Sequence, residues 1–235
     1  MNMAGVDEQT GRALFSPLVE QAIELAARWH DGTYRKSQWR PPLMPAPDAD
    51  DLVPVPVMAH LATVALLVDR AGWDDVTVAA AFLHDVLEDT NRHGQQLRYE
   101  VLCRRMGEAV ARLVHAVSEQ KFDEQGRRRS WEERKADYLA RLRTAPPAAI
   151  AISLADKLHN LWTINQSLQA GVDVFAEGPG RRALSAGPRA QLRFHRALLT
   201  LATQHQEPRL EPLRTRLSQE IERFARWVND RPAEN

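Results

Sequence analysis

Apolar side chains recur three and four positions apart along most of this chain, and that rhythm commits it to packed helices. Leu18, Ala22, Leu25, Ala26 and Trp29 set the pattern near the start, and Leu61, Val64, Leu67 and Val68 repeat it, as do Val76, Ala79, Ala80 and Leu83. Val110, Leu113, Val114 and Val117 follow, then the stretches 131–142, 148–167 and 192–203. Leu213, Leu217, Ile221, Phe224 and Val228 form one stripe on a last helix over 209–229. Strict strand alternation is scarce and no hairpin signal stands out. The expectation is an all-α bundle of about eight to ten helices. A chain of 235 residues, 44% hydrophobic, can bury a good core, read here as one domain over 1–235 with its core at 18–205.

Two stretches break the rhythm. Residues 37–57, SQWRPPLMPAPDADDLVPVPV, hold six of the 14 prolines, too many for a helix or a central strand, and read as a surface loop. AEGPGRRALSAGPRA (176–190) mixes Gly, Pro and Arg and reads as a mobile loop whose Arg181 and Arg182 could reach a phosphate. Basic and acidic residues both number 31, so net charge is +0 and no global field recruits nucleic acid or an anionic membrane. The single cysteine, Cys103, forms no intrachain disulfide framework and fits a reducing compartment. Neither a signal peptide nor a membrane-length apolar run is evident, so the expected location is cytoplasmic.

The stretch AAFLHDVLEDT (80–90) carries the chemistry. Its left half is apolar nearly all round, as in a central helix, yet His84, Asp85, Glu88 and Asp89 arrive within six positions. On a helix of about 100° per residue, Glu88 would lie about 40° from His84, Asp85 about 100° and Asp89 about 140°. Carboxylates four positions apart repel, and a cation among them reverses the sign. A solvated acidic face and a cation site both remain open on this stretch alone. Further ligands would come from other helices. His60 opens HLATVALLV, and Asp156 stands in ISLADKLHNLW among Ile152, Leu154, Ala155, Leu158 and Leu161, with Asn160 one turn on. An aspartate in such company needs a salt bridge or a metal. Two imidazoles and two carboxylates suit Mn²⁺, Fe²⁺ or Zn²⁺ better than Ca²⁺.

His60, the pair His84-Asp85 and Asp156 resemble the H…HD…D signature of the HD superfamily of metal-dependent phosphohydrolases. FLHDVLEDT and LADKLHNL are similar to segments of its RelA/SpoT-type alarmone hydrolases, as are AARWHDGTYRK (26–36), RLVHAVSEQK (112–121) and RKADYLARL (134–142). The resemblance implies an HD-domain helical bundle, a small stand-alone form without a synthetase domain. It implies one divalent ion, Mn²⁺, held by His60, His84, Asp85 and Asp156, with Glu88 and Asp89 positioning and activating water. Arg35 and Lys36 would lie against the base or phosphates, Asn160 near the sugar or phosphate, and Phe194 and His195 would face the nucleotide. The implied reaction removes the 3′-diphosphate of guanosine tetra- or pentaphosphate (ppGpp or pppGpp) to give GDP or GTP and pyrophosphate. Where the family has a short link ending PYIxHP, this chain has the long proline-rich loop and PVMAHL. That departure keeps open an HD phosphohydrolase of another nucleotide or phosphorylated small molecule, beside a non-catalytic helical regulator. The remaining histidines His30 and His115 read as structural, His159 as equally a neighbour of the site or a surface residue, and Arg134 and Lys135 as surface ion-pair partners. Lys157 points about 100° from Asp156 on an ideal helix. Oligomeric state is not encoded legibly.

Overall fold

The computed structural model describes residues 14–42, 52–178 and 182–231. In chain order they form α1 (Pro17–Trp29), β1 (Tyr34–Arg40), β2 (Val53–Pro56), α2 (Val57–Arg70), α3 (Asp75–Phe82), α4 (Tyr99–Met106), α5 (Glu108–Val117), α6 (Trp131–Leu142), α7 (Pro147–Gln169), α8 (Pro188–Thr203) and, after a short 3₁₀ turn at Pro208–Leu210, α9 (Glu211–Asn229). Nine α-helices among the described residues meet the expected all-α bundle.

Local chemistry sets the helix starts. Asp74 accepts from Thr77 N at 2.9 Å to open α3, and a reciprocal Ser130–Glu133 capping box opens α6. Pro17, Pro147 and Pro188 occupy first-turn positions of α1, α7 and α8, where their missing N–H costs nothing. Gly107, at φ +83°, lets α4 end and α5 begin at one residue.

The 23-residue α7 is buried on nearly every face and packs against α2, α3, α5, α8 and α9. The apolar α3, with Thr77 to Ala81 all buried, packs between α1, α2 and α5. The stripe from Leu213 to Val228 on α9 is buried against α7 and α8 as its spacing predicts. The two most enclosed helices therefore bring in the polar residues of interest, α7 within its span and α3 at its end. No helix among the described residues is long and apolar enough to cross a membrane.

Two expectations fail here. The proline-rich stretch is not loop throughout: β1 and β2 pair antiparallel, with Tyr34 opposite Pro56, Arg40 opposite Val53 and an irregular register between. Prolines sit on this two-stranded ribbon because each strand has an unpaired edge that needs no donor. Residues 43–51 between the strands, and Arg181 of the Gly-Pro stretch, lie outside the described residues. The second failure is the single helix over 80–90. α3 stops at Phe82, and 83–88 wind through turns closed by Leu83 N–H to Ala80 O, Val86 N–H to Leu83 O and Glu88 N–H to Asp85 O. Those bonds span three residues rather than four, a tighter winding than an α-helix. The angular fan computed for an ideal helix does not apply.

Candidate active site

The break in α3 changes what adjacent residues can do. On a regular helix His84 and Asp85 would diverge, whereas here His84 Nε2 lies 3.3 Å from Asp85 Oδ1. His60, one turn into α2, comes from the opposite side, and its ring sits edge-on to His84 with centroids 5.1 Å apart. Asp156, mid-way along α7, points its Oδ1 between them, 3.1 Å from His60 Nε2 and 3.8 Å from His84 Nε2. Ligand atoms of His60, His84 and Asp156 all lie within 4.8 Å of one another, and all three residues are buried. His60, His84 and Asp156, from three separate stretches of the chain, thus come together, and Asp85 stands at the rim through its contact with His84.

Protonation is set by the neighbours. His84 Nδ1 lies 2.8 Å from the Ala81 carbonyl, an acceptor, so Nδ1 carries a hydrogen and the neutral tautomer of this ring presents its lone pair at Nε2. That Nε2 is buried and has no hydrogen-bond partner. An orphaned imidazole lone pair facing two carboxylates is a fit for a divalent cation. Burial, and then the charge of Arg35, hold His60 well below the usual histidine range, which keeps it neutral. Burial alone would raise the Asp156 carboxyl, but Lys157 and the His60 hydrogen bond hold it well below the usual range, so it is an anion. A neutral His60 and an anionic Asp156 are donor states a cation needs.

A second set of contacts braces these four. His60 Nδ1 and His159 Nδ1 are 2.6 Å apart and the rings stack at 4.9 Å, with Trp162 behind His159 at 5.9 Å. His159 is buried, not a surface residue. Lys157 reaches back to pair with Asp156 Oδ2, despite the divergence expected from helical geometry, because its flexible stem can turn. Asn160 donates to Asp156 Oδ1 and accepts from Arg35 Nη2 at the start of the β-ribbon, so Arg35 reaches the centre through one amide. Lys36, its neighbour on the strand, is exposed.

The two further acids divide. Glu88 Oε1 accepts from the Glu119 backbone N–H at 2.8 Å. Burial, then the charges of Asp85 and Glu119, push its pKa up to about 8. Asp89 instead pairs with Lys121 at 2.5 Å, while its carbonyl accepts from Trp29 Nε1 at 3.0 Å. His30, at the end of α1, is buried with neither ring nitrogen hydrogen-bonded; burial lowers its pKa against the pull of Asp85 and Asp89.

Several of these residues escape the sequence reading. Arg134 and Lys135 are mostly buried and clamp the carboxylate of Glu119, itself 8% exposed, rather than making surface pairs. Nothing in the segment Ser118-Glu119-Gln120 marks Glu119 as buried, because its partners arrive from α6 some fifteen residues on. His159 had a signal: Asp156, His159 and Asn160 stand at i, i+3 and i+4 and so share a face of α7. Phe194 and His195 are buried on α8, where Phe194 packs edge-on to Trp131 at 5.8 Å. Arg182 is exposed.

Known proteins resemble this chain in sequence and in fold. A family model described as HD domain matches residues 47–178. Over 149 residues the chain is 31% identical to a GTP pyrophosphokinase of Streptomyces coelicolor, covering 62% of this chain and 14% of that protein. Over 114 residues it is 37% identical to a probable guanosine-3′,5′-bis(diphosphate) 3′-pyrophosphohydrolase of Synechocystis, covering 47% of this chain and 14% of that one. The chain thus spans about one seventh of the length of these curated relatives. Among solved structures, a metazoan ortholog of SpoT described as hydrolysing ppGpp superposes with TM-score 0.57 at 20% identity, covering 92% of this chain and 98% of that one, a likeness of fold. A Listeria monocytogenes protein superposes with TM-score 0.57 at 25% identity, over 72% of this chain and 97% of its own.

Proposed function

The chain belongs to the HD-domain family, and from that premise we propose that it is a metal-dependent phosphohydrolase removing the 3′-diphosphate of guanosine tetra- or pentaphosphate. The products are GDP or GTP and pyrophosphate. The observation that carries the reading is the meeting of His60, His84 and Asp156 within 4.8 Å, with the His84 Nε2 lone pair left open. The names of the Synechocystis relative and of the metazoan structural neighbour support the substrate.

His60, His84, Asp85 and Asp156 would hold one cation, Mn²⁺ in this reading, with Fe²⁺ and Zn²⁺ suited to the same nitrogen and oxygen donors. Such an ion supplies Lewis acidity, making water a better nucleophile and polarising a phosphoryl oxygen. The chain's own residues supply the rest. Glu88 in its ionised form, with its raised proton affinity, accepts the proton that water gives up as its oxygen bonds to the phosphorus next to O3′. The P–O3′ bond breaks and O3′ takes that proton back from Glu88. Asp89, fixed by Lys121, helps Glu88 position the water, and the Lys121 ammonium offsets negative charge developing on phosphoryl oxygens. Arg35, held by Asn160, offers a guanidinium to the nucleotide, with exposed Lys36 beside it; burial lowers the Arg35 pKa. The substrate is a soluble nucleotide, which fits a cytoplasmic enzyme.

A second reading keeps the same centre and changes the nucleotide. It is favoured by the proline-rich insertion between Arg35 and His60, which replaces the family's short link at the place where a base would be read. A substrate panel with Mn²⁺, resolved by anion-exchange chromatography, decides between them. Guanosine 3′,5′-bis(diphosphate) is expected to give GDP and pyrophosphate. If it stays intact while another phosphorylated nucleotide is cleaved, the guanosine assignment falls.

A further inference from the structure

Beside the centre, with Asn160 in its wall, lies a cavity of about 130 Å³ between α6, α7 and α8. Two ammonium groups face it, Lys135 and Lys157, and no carboxylate lines it among the described residues. Both side chains are mostly buried, at 15% and 12% exposure. Lys135 Nζ sits 4.6 Å over the Phe194 ring and Lys157 Nζ 4.9 Å over that of Tyr138. Aromatic faces steady the ammonium groups without neutralising their charge. Glu119 and Asp156 bind the same two lysines from outside the cavity.

The α8 wall carries the decisive atom. His195 is 2% exposed, and its Nδ1 lies 2.7 Å from the Gln191 carbonyl, so Nδ1 is the protonated nitrogen of the neutral ring. Its Nε2 is buried without a hydrogen-bond partner, and the residue lines this cavity. Burial, aided by Lys157 and Lys135, lowers the ring to about 4, so at neutral pH Nε2 accepts and does not donate. The cavity therefore asks two things of one ligand: anionic oxygens for the lysines and a hydrogen for His195.

We propose that this cavity is a subsite for a terminal phosphoryl group, entered past Asn160 from the metal centre. A terminal phosphoryl meets both demands, because its second ionisation falls at about pH 6 and one oxygen can carry a proton. A bridging phosphoryl, fully ionised and flanked by ester oxygens, meets only the first. On the phosphohydrolase reading, on which this deepening rests, the occupant is the distal phosphoryl of the group being removed, and afterwards that end of the pyrophosphate product.

The test needs no substrate. Inorganic phosphate and sulfate are titrated by calorimetry into the Mn²⁺-loaded protein, and into Lys135→Gln and Lys135→Arg. Phosphate is expected to bind roughly tenfold more tightly than sulfate, which has the charge and shape but no proton to give. Lys135→Gln should weaken phosphate by roughly tenfold or more, Lys135→Arg by much less, and neither should change Mn²⁺ affinity. Equal binding of the two anions by the unaltered protein, or phosphate affinity untouched in Lys135→Gln, overturns the subsite. If the phosphate pattern holds but guanosine 3′,5′-bis(diphosphate) is not cleaved, the subsite stands and the substrate reading falls. Cleavage without the phosphate pattern does the reverse.

Discussion

Replacing Glu88 by glutamine tests whether this acid is held in an environment that opposes its charge. Burial first, then Asp85 and Glu119, push its pKa from 4.5 to about 8, while Lys121 and Lys157 pull it down. A carboxyl whose folded pKa exceeds its unfolded value leaves the fold most stable below the unfolded value, and stability is lost as pH rises to the folded one. The window here runs from 4.5 to about 8. Each pH unit inside it costs about 1.4 kcal/mol, so between about pH 6 and pH 8 this group removes up to roughly 3 kcal/mol. Partial solvent access to the half-buried side chain makes that an upper bound. Glutamine keeps an oxygen for the Glu119 N–H, a 2.8 Å bond in the unaltered protein, but cannot ionise. Urea unfolding with a chelator present is then compared for the two proteins at both pH values. Glu88→Gln should gain on the unaltered protein as pH rises, by an amount approaching 3 kcal/mol, while turnover with Mn²⁺ is lost. A stability gap that stays constant across this range would refute the reasoning.

Other perturbations have similarly definite outcomes. Glu119→Ala strands Arg134 and Lys135 in a mostly buried site and should lower unfolding free energy by about 3–5 kcal/mol, read from urea midpoints; an unchanged midpoint would contradict the clamp. His159→Ala removes the partner of His60 Nδ1 and should weaken Mn²⁺ binding by about 10–100-fold in calorimetry, whereas a purely packing role would leave affinity unchanged and lower only the melting temperature.

The sequence made the helices legible because each buries one face, or all faces, of an unbroken periodic run. It also pointed to the candidate centre, since His60, His84-Asp85 and Asp156 stand out as polar residues in apolar surroundings and resemble a family signature. What periodicity could not show was the end of α3. Nothing in LHDVLED breaks a helix: there is no proline or glycine, and the turn is stabilised by contacts that exist only after folding, such as Glu88 with Glu119 N–H and Trp29 with the Asp89 carbonyl. The β-ribbon was hidden for a related reason, its prolines being poor strand formers that are tolerated at edges. Lys135 and Lys157 were misread because helical position fixes where a Cα lies, not where a four-carbon stem delivers its charge.

The proposed chemistry needs one cation seated among His60, His84, Asp85 and Asp156. Anomalous diffraction from crystals of the Mn²⁺-loaded protein tests this most directly. One manganese peak is expected per chain, with His60, His84 and Asp156 and the Asp85 carboxylate as ligands, at about 2.0–2.3 Å for direct bonds. Loaded crystals with no peak at these residues, or with the peak elsewhere on the molecule, would contradict it.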